Sequence, residues 1–262
     1  MTWVEALILG IIQGLTEFLP VSSSGHLEIG SVLLGTRESD NLLFAVVVHL
    51  ATAFATIAVF RKDILLLLSD LFKFQWNDAT KFISKLLISM IPVFVVGVFF
   101  KDQVETFFTG NLILVGTMLL ITGFLLLFAH LKKSGTKPVS YISAILIGIA
   151  QAFAVLPGIS RSGATIATGI LLGVEKSKVA RFSFLMVLVP ILGASLLEIK
   201  DYLEAPQAHA ISVGPLLVGF ISAFIAGFMA CKWMIMVVKR GKLTYFSIYC
   251  FIVGLIAILA SV

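Results

Sequence analysis

Residues 13–27 concentrate polar, chemically capable side chains inside an apolar stretch. They hold a carboxamide (Gln13), a carboxylate (Glu17), three consecutive hydroxyls (Ser22, Ser23, Ser24) and an imidazole (His26), with Pro20 and Gly25 shaping the chain between them. Ser23 and His26 are three apart across a turn, and a hydroxyl beside an imidazole or carboxylate base is a known nucleophile arrangement. Gln13 and Glu17 are four apart, so one helix face carries both. They supply oxygen ligands for a hard cation such as Mg²⁺ or Ca²⁺, which often bridges to phosphate. A second polar turn holds Ser160, Arg161, Ser162, Gly163 and Thr165. A planar guanidinium suits phosphate, as do hydroxyls and turn amides at helix N-termini. Together the two turns point to a phosphate-bearing ligand. Two blander readings compete: a loop with a capping serine, and a structural Glu17–Arg161 bridge. Against the first stands the several-kcal/mol cost of an unpaired polar cluster in an apolar medium, where such clusters are usually functional.

The medium is set by composition. Of 262 residues, 59% are apolar and 13% charged, and mean hydropathy is +1.09. Soluble domains carry roughly 25% charged residues, so the chain reads as an all-α polytopic membrane protein. Its formal charge of +5 does not indicate nucleic acid, because the basic residues lie in short loops between apolar spans and serve orientation in the membrane. Cys231 and Cys250 fall within apolar spans and read as packing residues. The N-terminus lacks a basic region and does not resemble a cleaved signal peptide.

The elements that must position the two turns follow from the apolar pattern. Pieces at about 2–19 and 26–34 are short for a bilayer span and flank the first turn, where Pro20 stops a helix. This suits a re-entrant helix-turn-helix. Spans follow at about 42–60, 83–100 and 111–131, with Pro92 expected to bend the second. The segment 61–81 is expected along the membrane surface. Residues 141–173 repeat the opening pattern around the second turn, and further spans follow at about 180–198, 212–236 and 244–261. A shift of 138 residues aligns Gly10 with Gly148, Gln13 with Gln151, Ser22 with Ser160, Ser24 with Ser162, and Gly25 with Gly163. The chain therefore reads as a single membrane domain of two repeats, 1–135 and 139–262. Each holds one re-entrant unit and three transmembrane helices. Three is odd, so the repeats insert with inverted topology, a plan that places a site at the midplane. The loops assigned to one side (61–85, 132–140, 174–181, 239–243) carry 14 Lys and Arg, and those assigned to the other carry only Arg37, Lys101 and Lys200. The basic side is expected to be cytoplasmic, which puts both termini outside.

Residues 13–27, with Pro157-Gly158-Ile159-Ser160-Arg161-Ser162-Gly163-Ala164-Thr165, resemble the two signatures of the bacterial undecaprenyl-diphosphate phosphatases, the bacitracin-resistance family. Length, span order and the basic turn at 239–242 also fit. The resemblance implies hydrolysis of undecaprenyl diphosphate to undecaprenyl phosphate and inorganic phosphate. That reaction recycles a lipid carrier for peptidoglycan synthesis at the bacterial inner (plasma) membrane. It also implies a divalent cation, Mg²⁺ or Ca²⁺, and a polyprenyl diphosphate and membrane lipids as partners; a homodimer is left open. By the same resemblance Gln13 and Glu17 occupy the family's Glu/Gln-x-x-x-Glu pair and hold the metal, with Glu17, the one carboxylate of the pair, also available as base. Ser23 matches the proposed nucleophile, His26 the general acid/base or alternative nucleophile, and Arg161 the diphosphate-binding arginine. Ser22, Ser24, Gly25, Ser160, Ser162, Gly163 and Thr165 form the surrounding substrate-binding shell. One departure is Phe44-Ala45-Val46-Val47-Val48-His49, where the family often has Phe-Glu-Val-Val-Ile-Gln. An acidic residue is lost there, and His49 either joins the site or is structural. His130 and His209 read as interfacial. A polyprenyl-phosphate transporter or flippase is the alternative function, because inverted repeats and a midplane anion site are also carrier features.

Overall fold

A computed structural model describes residues 1–36, 38–100, 103–104, 106–107, 111–133, 135–204 and 212–261. The described chain is helical apart from one isolated bridge between Lys137 and Val174. Its elements are α1 (Trp3–Phe18), α2 (Ser23–Leu34), α3 (Glu38–Leu71), α4 (Asp78–Phe99), α5 (Leu112–Leu131), α6 (Tyr141–Phe153), α7 (Arg161–Leu171), α8 (Lys176–Met186), α9 (Leu188–Glu204), α10 (Val213–Arg240) and α11 (Thr244–Leu259). Among the described residues, five helical stretches are long and apolar enough to cross a bilayer. Exposed Leu, Ile, Phe and Val side chains along them suit contact with lipid. The protein is thus a multi-pass membrane protein.

Local sequence explains where the helices start and stop. Thr2 and Glu5 close a capping box on α1, while Asn77, Asn111, Ser140 and Ser160 cap α4, α5, α6 and α7 through their side chains. Each satisfies an N–H that the first helical turn leaves without a partner. Pro20 follows the end of α1 at Phe18. Two expectations change. The segment 61–81 is not a separate surface element: α3 runs on to Leu71 without interruption, and α4 begins at Asp78. The 34-residue α3 is about 51 Å long at the standard rise, well beyond the roughly 30 Å hydrocarbon layer. Residues 61–71 lack a proline or glycine to end it. Conversely, the span expected at 180–198 is broken at Val187 into α8 and α9. Pro190 has no N–H for the carbonyl of Met186, while the Ile191 N–H keeps the ordinary bond to the Val187 carbonyl, so the interruption is one residue long and Lys176–Leu196 remains a single apolar stretch. Pro92 lies inside α4, which continues to Phe99. Arg37, Lys101 and His209 lie outside the described residues.

Close helix approaches at small residues organise the core. α1 runs alongside α10: Trp3 meets Gly214, Gly10 meets Gly219 and Ser222, and Gly14 meets Ala223 and Gly227. Gly227 lies near the middle of the 28-residue α10, so α1 stops halfway along it. α2 then turns back, bringing Gly30 against Leu9 and Ile12. α6 runs alongside α4 from the opposite end, with Ser84 bonded to Tyr141 and Gly148 on Ser89. α7 turns back to place Gly169 against Ile147. α5 and α11 cross at Gly116 and Gly254, each lying where a Cβ would come within 3 Å of the other's carbonyl oxygen. Several loops assigned to one side do meet at one end: Arg181 pairs with Asp63 at 3.0 Å, His130 Nδ1 donates to the Gly241 carbonyl, and Lys137 bridges to Val174.

Candidate active site

The two polar turns meet where the short helix pairs α1/α2 and α6/α7 end head to head. Both second helices begin in the same way. Ser22 Oγ accepts the Gly25 N–H at 3.2 Å, and Ser160 Oγ accepts the Gly163 N–H at 3.0 Å. The turns then interlock. Ser162 Oγ donates to the Leu19 carbonyl, Gly25 lies against Gly158 Cα, and Gly163 lies against Pro20. Gly158 has φ +95°, and a Cβ there would stand 2.5 Å from the Val115 carbonyl oxygen, so glycine is required on both counts. Thr122 of α5 clamps the second turn, donating to the Gly158 carbonyl and accepting the Ser160 N–H. Ser22 has φ 70°, uncommon for a residue with a side chain. Interlocking of the turns and the Gly25 cap hold it there.

Glu17 is the hub. Its side chain is 7% exposed, and one oxygen, Oε2, accepts from Ser23 Oγ at 2.6 Å and from Gln13 Nε2 at 2.9 Å. The other, Oε1, accepts from Arg161 Nη2 at 3.0 Å. One carboxylate thus receives a candidate nucleophile, a carboxamide and a guanidinium. In an apolar medium the arginine offsets its charge, and removing one partner would strand the other. The plain Glu17–Arg161 bridge exists, and it forms part of the cluster rather than replacing it.

Some expected pairings do not form. Ser23 and His26 are not joined. The His26 Nδ1–H donates to the Ser22 carbonyl at 2.8 Å, which leaves Nε2 to accept from the Tyr249 hydroxyl at 2.7 Å. The Tyr249 ring also stacks on the imidazole, with centroids 5.6 Å apart. Of the two groups, His26 and Glu17, it is Glu17 that accepts the Ser23 hydroxyl. Ser22, Gly25, Ser160 and Gly163 serve first to build the caps, and Ser24 Oγ lies 3.3 Å from Ser22 Oγ. Thr165 donates to the Arg161 carbonyl and pairs with Ser183. His49 does reach the site: Nδ1–H donates to the Ala45 carbonyl and Nε2 faces Glu17 Oε2 at 3.7 Å. Tyr249, Thr122 and Ser183 come from helices whose sequence offers no local motif. Only their polarity inside apolar spans marks them.

The metal expectation can be tested against the donor set. Among the described residues no group of three or more His, Cys, Asp or Glu side chains surrounds a common point. Gln13 Oε1, however, is buried without a hydrogen-bond partner, beside the Glu17 carboxylate. One carboxylate and one free carboxamide oxygen suit a cation that draws its other ligands from substrate phosphate and water, as Mg²⁺ commonly does.

Comparison with known proteins places the chain in a family. Residues 6–256 match the family model described as Bacitracin resistance protein BacA. An undecaprenyl-diphosphatase of Bacteroides fragilis is 55% identical over 263 residues, covering 100% of this chain and 99% of that protein. One from Parabacteroides distasonis is 55% identical over 98% of both chains. One from Methanobrevibacter smithii is 37% identical, spanning 100% of this chain and 99% of its own. Matched along nearly its whole length, the chain belongs to the bacitracin resistance protein BacA family.

Proposed function

We propose that this protein hydrolyses undecaprenyl diphosphate to undecaprenyl phosphate and inorganic phosphate, recycling the lipid carrier for peptidoglycan synthesis and thereby opposing bacitracin. The observation that carries the reading is the hydrogen bond from Ser23 Oγ to Glu17 Oε2 beside Arg161. A polyprenyl-phosphate carrier needs the positive charge of Arg161, but not a hydroxyl aligned on a carboxylate.

In the proposed mechanism Arg161 exchanges part of its bond with Glu17 for the diphosphate, which its planar fork holds. The first-turn amides of α2 and α7 add donors for the phosphate oxygens. Ser23 Oγ bonds to the terminal phosphorus as the bridging P–O bond breaks, and the Ser23 proton passes to Glu17 Oε2. Undecaprenyl phosphate leaves with the bridging oxygen. Water then attacks the phosphoserine, giving up a proton as Ser23 Oγ regains one, and inorganic phosphate departs. Gln13 and Glu17 would hold a divalent cation, whose role when bound is to neutralise phosphate oxygens. Positioning and charge neutralisation carry most of the rate in phosphoryl transfer.

The proposed architecture is an inverted-topology repeat with two re-entrant pairs. α1 ends halfway along α10, α6 runs on α4 from the opposite end, and the related residues Gly116 and Gly254 face each other. These contacts support it. In the bacterial inner membrane, the basic loops lie on the cytoplasmic side and both termini outside.

Phosphate release from a polyprenyl diphosphate by purified protein, with Mg²⁺, Ca²⁺ or a chelator, tests the reading. Metal-dependent release that is lost in Arg161→Ala and in Glu17→Ala is expected. Folded protein that binds the lipid but releases no phosphate under any of these conditions would favour the carrier.

A further inference from the structure

Gln151 aligns with Gln13 in the other half of the chain, but its surroundings differ. Gln13 donates to Glu17; the position 138 residues after Glu17 is Val155, so Gln151 has no matching carboxylate. Its side chain is buried, with the residue 1% exposed, and Nε2 has no hydrogen-bond partner. An unpaired carboxamide in an apolar core is costly, and native proteins rarely leave one so.

Gln151 lines a cavity of about 20 Å³ whose polar wall includes Glu17, Arg161, Thr52 and Thr56, with apolar side chains such as Phe18 and Phe184 completing it. Its lining is amphoteric. Thr52 Oγ1 donates to the His49 carbonyl and Thr56 Oγ1 to the Thr52 carbonyl, so both hydroxyl protons are spent and lone pairs remain. Glu17 adds an acceptor, while Gln151 and the guanidinium of Arg161 add N–H donors. While Glu17 and Arg161 are paired, before substrate draws Arg161 away, the wall carries one charge of each sign and both donors and acceptors. Water satisfies both kinds of partner, and the volume exceeds the roughly 10–15 Å³ that one water requires.

We infer that this cavity is a buried hydration site, in which water held by Gln151 and the Thr52 and Thr56 oxygens hydrogen-bonds the Glu17–Arg161 pair. Gln151 is thereby a positioning residue: it acts through water to hold Glu17 aimed at Ser23 and Arg161 aimed at the diphosphate. The hydration site stands on the geometry alone; its positioning role rests on the phosphatase reading.

Three measurements on full-length protein in detergent test it. Hydroxyl-radical footprinting reads bound water directly, because Phe18 and Phe184 line the cavity and are only 2% and 3% exposed. Wild type is expected to label both above buried phenylalanines elsewhere, such as Phe44 and Phe182, and Gln151→Met to abolish the excess. Thermal unfolding gives a sign. Gln151→Met and Thr56→Val are each expected to lower Tm by about 3 °C, the shift typical of losing a well-made buried hydrogen bond in a domain of this size. A dry cavity predicts that Gln151→Met raises Tm, because an unpaired amide is removed. Turnover by both variants should fall about tenfold at unchanged KM. Background labelling of Phe18 and Phe184 in wild type, or a raised Tm for Gln151→Met, overturns the hydration site whether or not the enzyme turns over. Normal kcat in both variants with the labelling pattern intact overturns the positioning role. Absence of phosphate release by wild type would instead count against the phosphatase reading and leaves the footprint and Tm tests standing.

Discussion

A serine hydroxyl 2.6 Å from a carboxylate that also carries an arginine is poised for proton transfer, and removing it isolates its contribution. Ser23→Ala should keep the Glu17–Arg161 pair and lipid binding, while turnover falls at least about 10³-fold, as loss of a nucleophile does elsewhere. Substantial residual turnover would point to direct attack by water. At His26 the geometry separates two roles. With Nδ1 on the Ser22 carbonyl and Nε2 accepting from Tyr249, the ring is held in one tautomer and faces Tyr249 rather than Ser23. Tyr249→Phe removes only the hydroxyl and keeps the stack. In a double-mutant cycle with His26→Ala, kcat/KM should show coupling of about 0.5–1.5 kcal/mol, the net worth of a hydrogen bond. Additive effects would separate the two residues functionally.

At the scale of elements, half-length helices require the two turns to approach closely. The structure achieves this with glycine at Gly25 and Gly158 and with hydroxyl caps at Ser22 and Ser160. Gly158→Ala combines strain at φ +95° with a Cβ 2.5 Å from a carbonyl oxygen. A loss of at least about 2 kcal/mol is expected, read as a lower Tm together with lost turnover. Gly97 in α4 has nothing within 4 Å of an added Cβ, so Gly97→Ala should be neutral or stabilise by up to about 1 kcal/mol. Equal effects at the two positions would mean that the close contact between the turns is not what Gly158 provides. The break at Val187 follows the same local logic, since Pro190 withdraws the N–H that would have joined α8 and α9.

Across the whole molecule, the exchange of partners between halves sets the topology. α1 lies on α10 and α6 on α4, so neither half is complete without the other. A single cysteine placed at residue 2, in protein with Cys231 and Cys250 replaced by serine, should react with a membrane-impermeant maleimide added to the outside of cells or spheroplasts. One placed at position 133 should react only after permeabilisation. The reverse pattern would invert the proposed orientation while leaving the site intact.

Sequence alone determined the medium, the helical class and the two polar turns. These depend on composition, on apolar run length and on residues close together in the chain. The shared face of Gln13 and Glu17 was legible for that reason, because helix periodicity acts over four residues; the Ser22 and Ser160 caps emerge only in the structure, the capping serine being the reading set aside. The extension of α3 through 61–71 was not legible, because charges placed among leucines read as a surface segment while helix propensity continued through them. The partners that decide the chemistry were not legible either. Ser23 has two bases within sequence reach, and only packing assigns it Glu17 while turning His26 to Tyr249, 223 positions away. The Glu17–Arg161 pair, 144 positions apart, was one of the readings the two turns allowed, and packing selects it; the unpaired amide of Gln151 has meaning only with the Thr52 and Thr56 oxygens of another helix. Hydrogen bonds are directional and short, so which donor meets which acceptor depends on how helices remote in sequence pack.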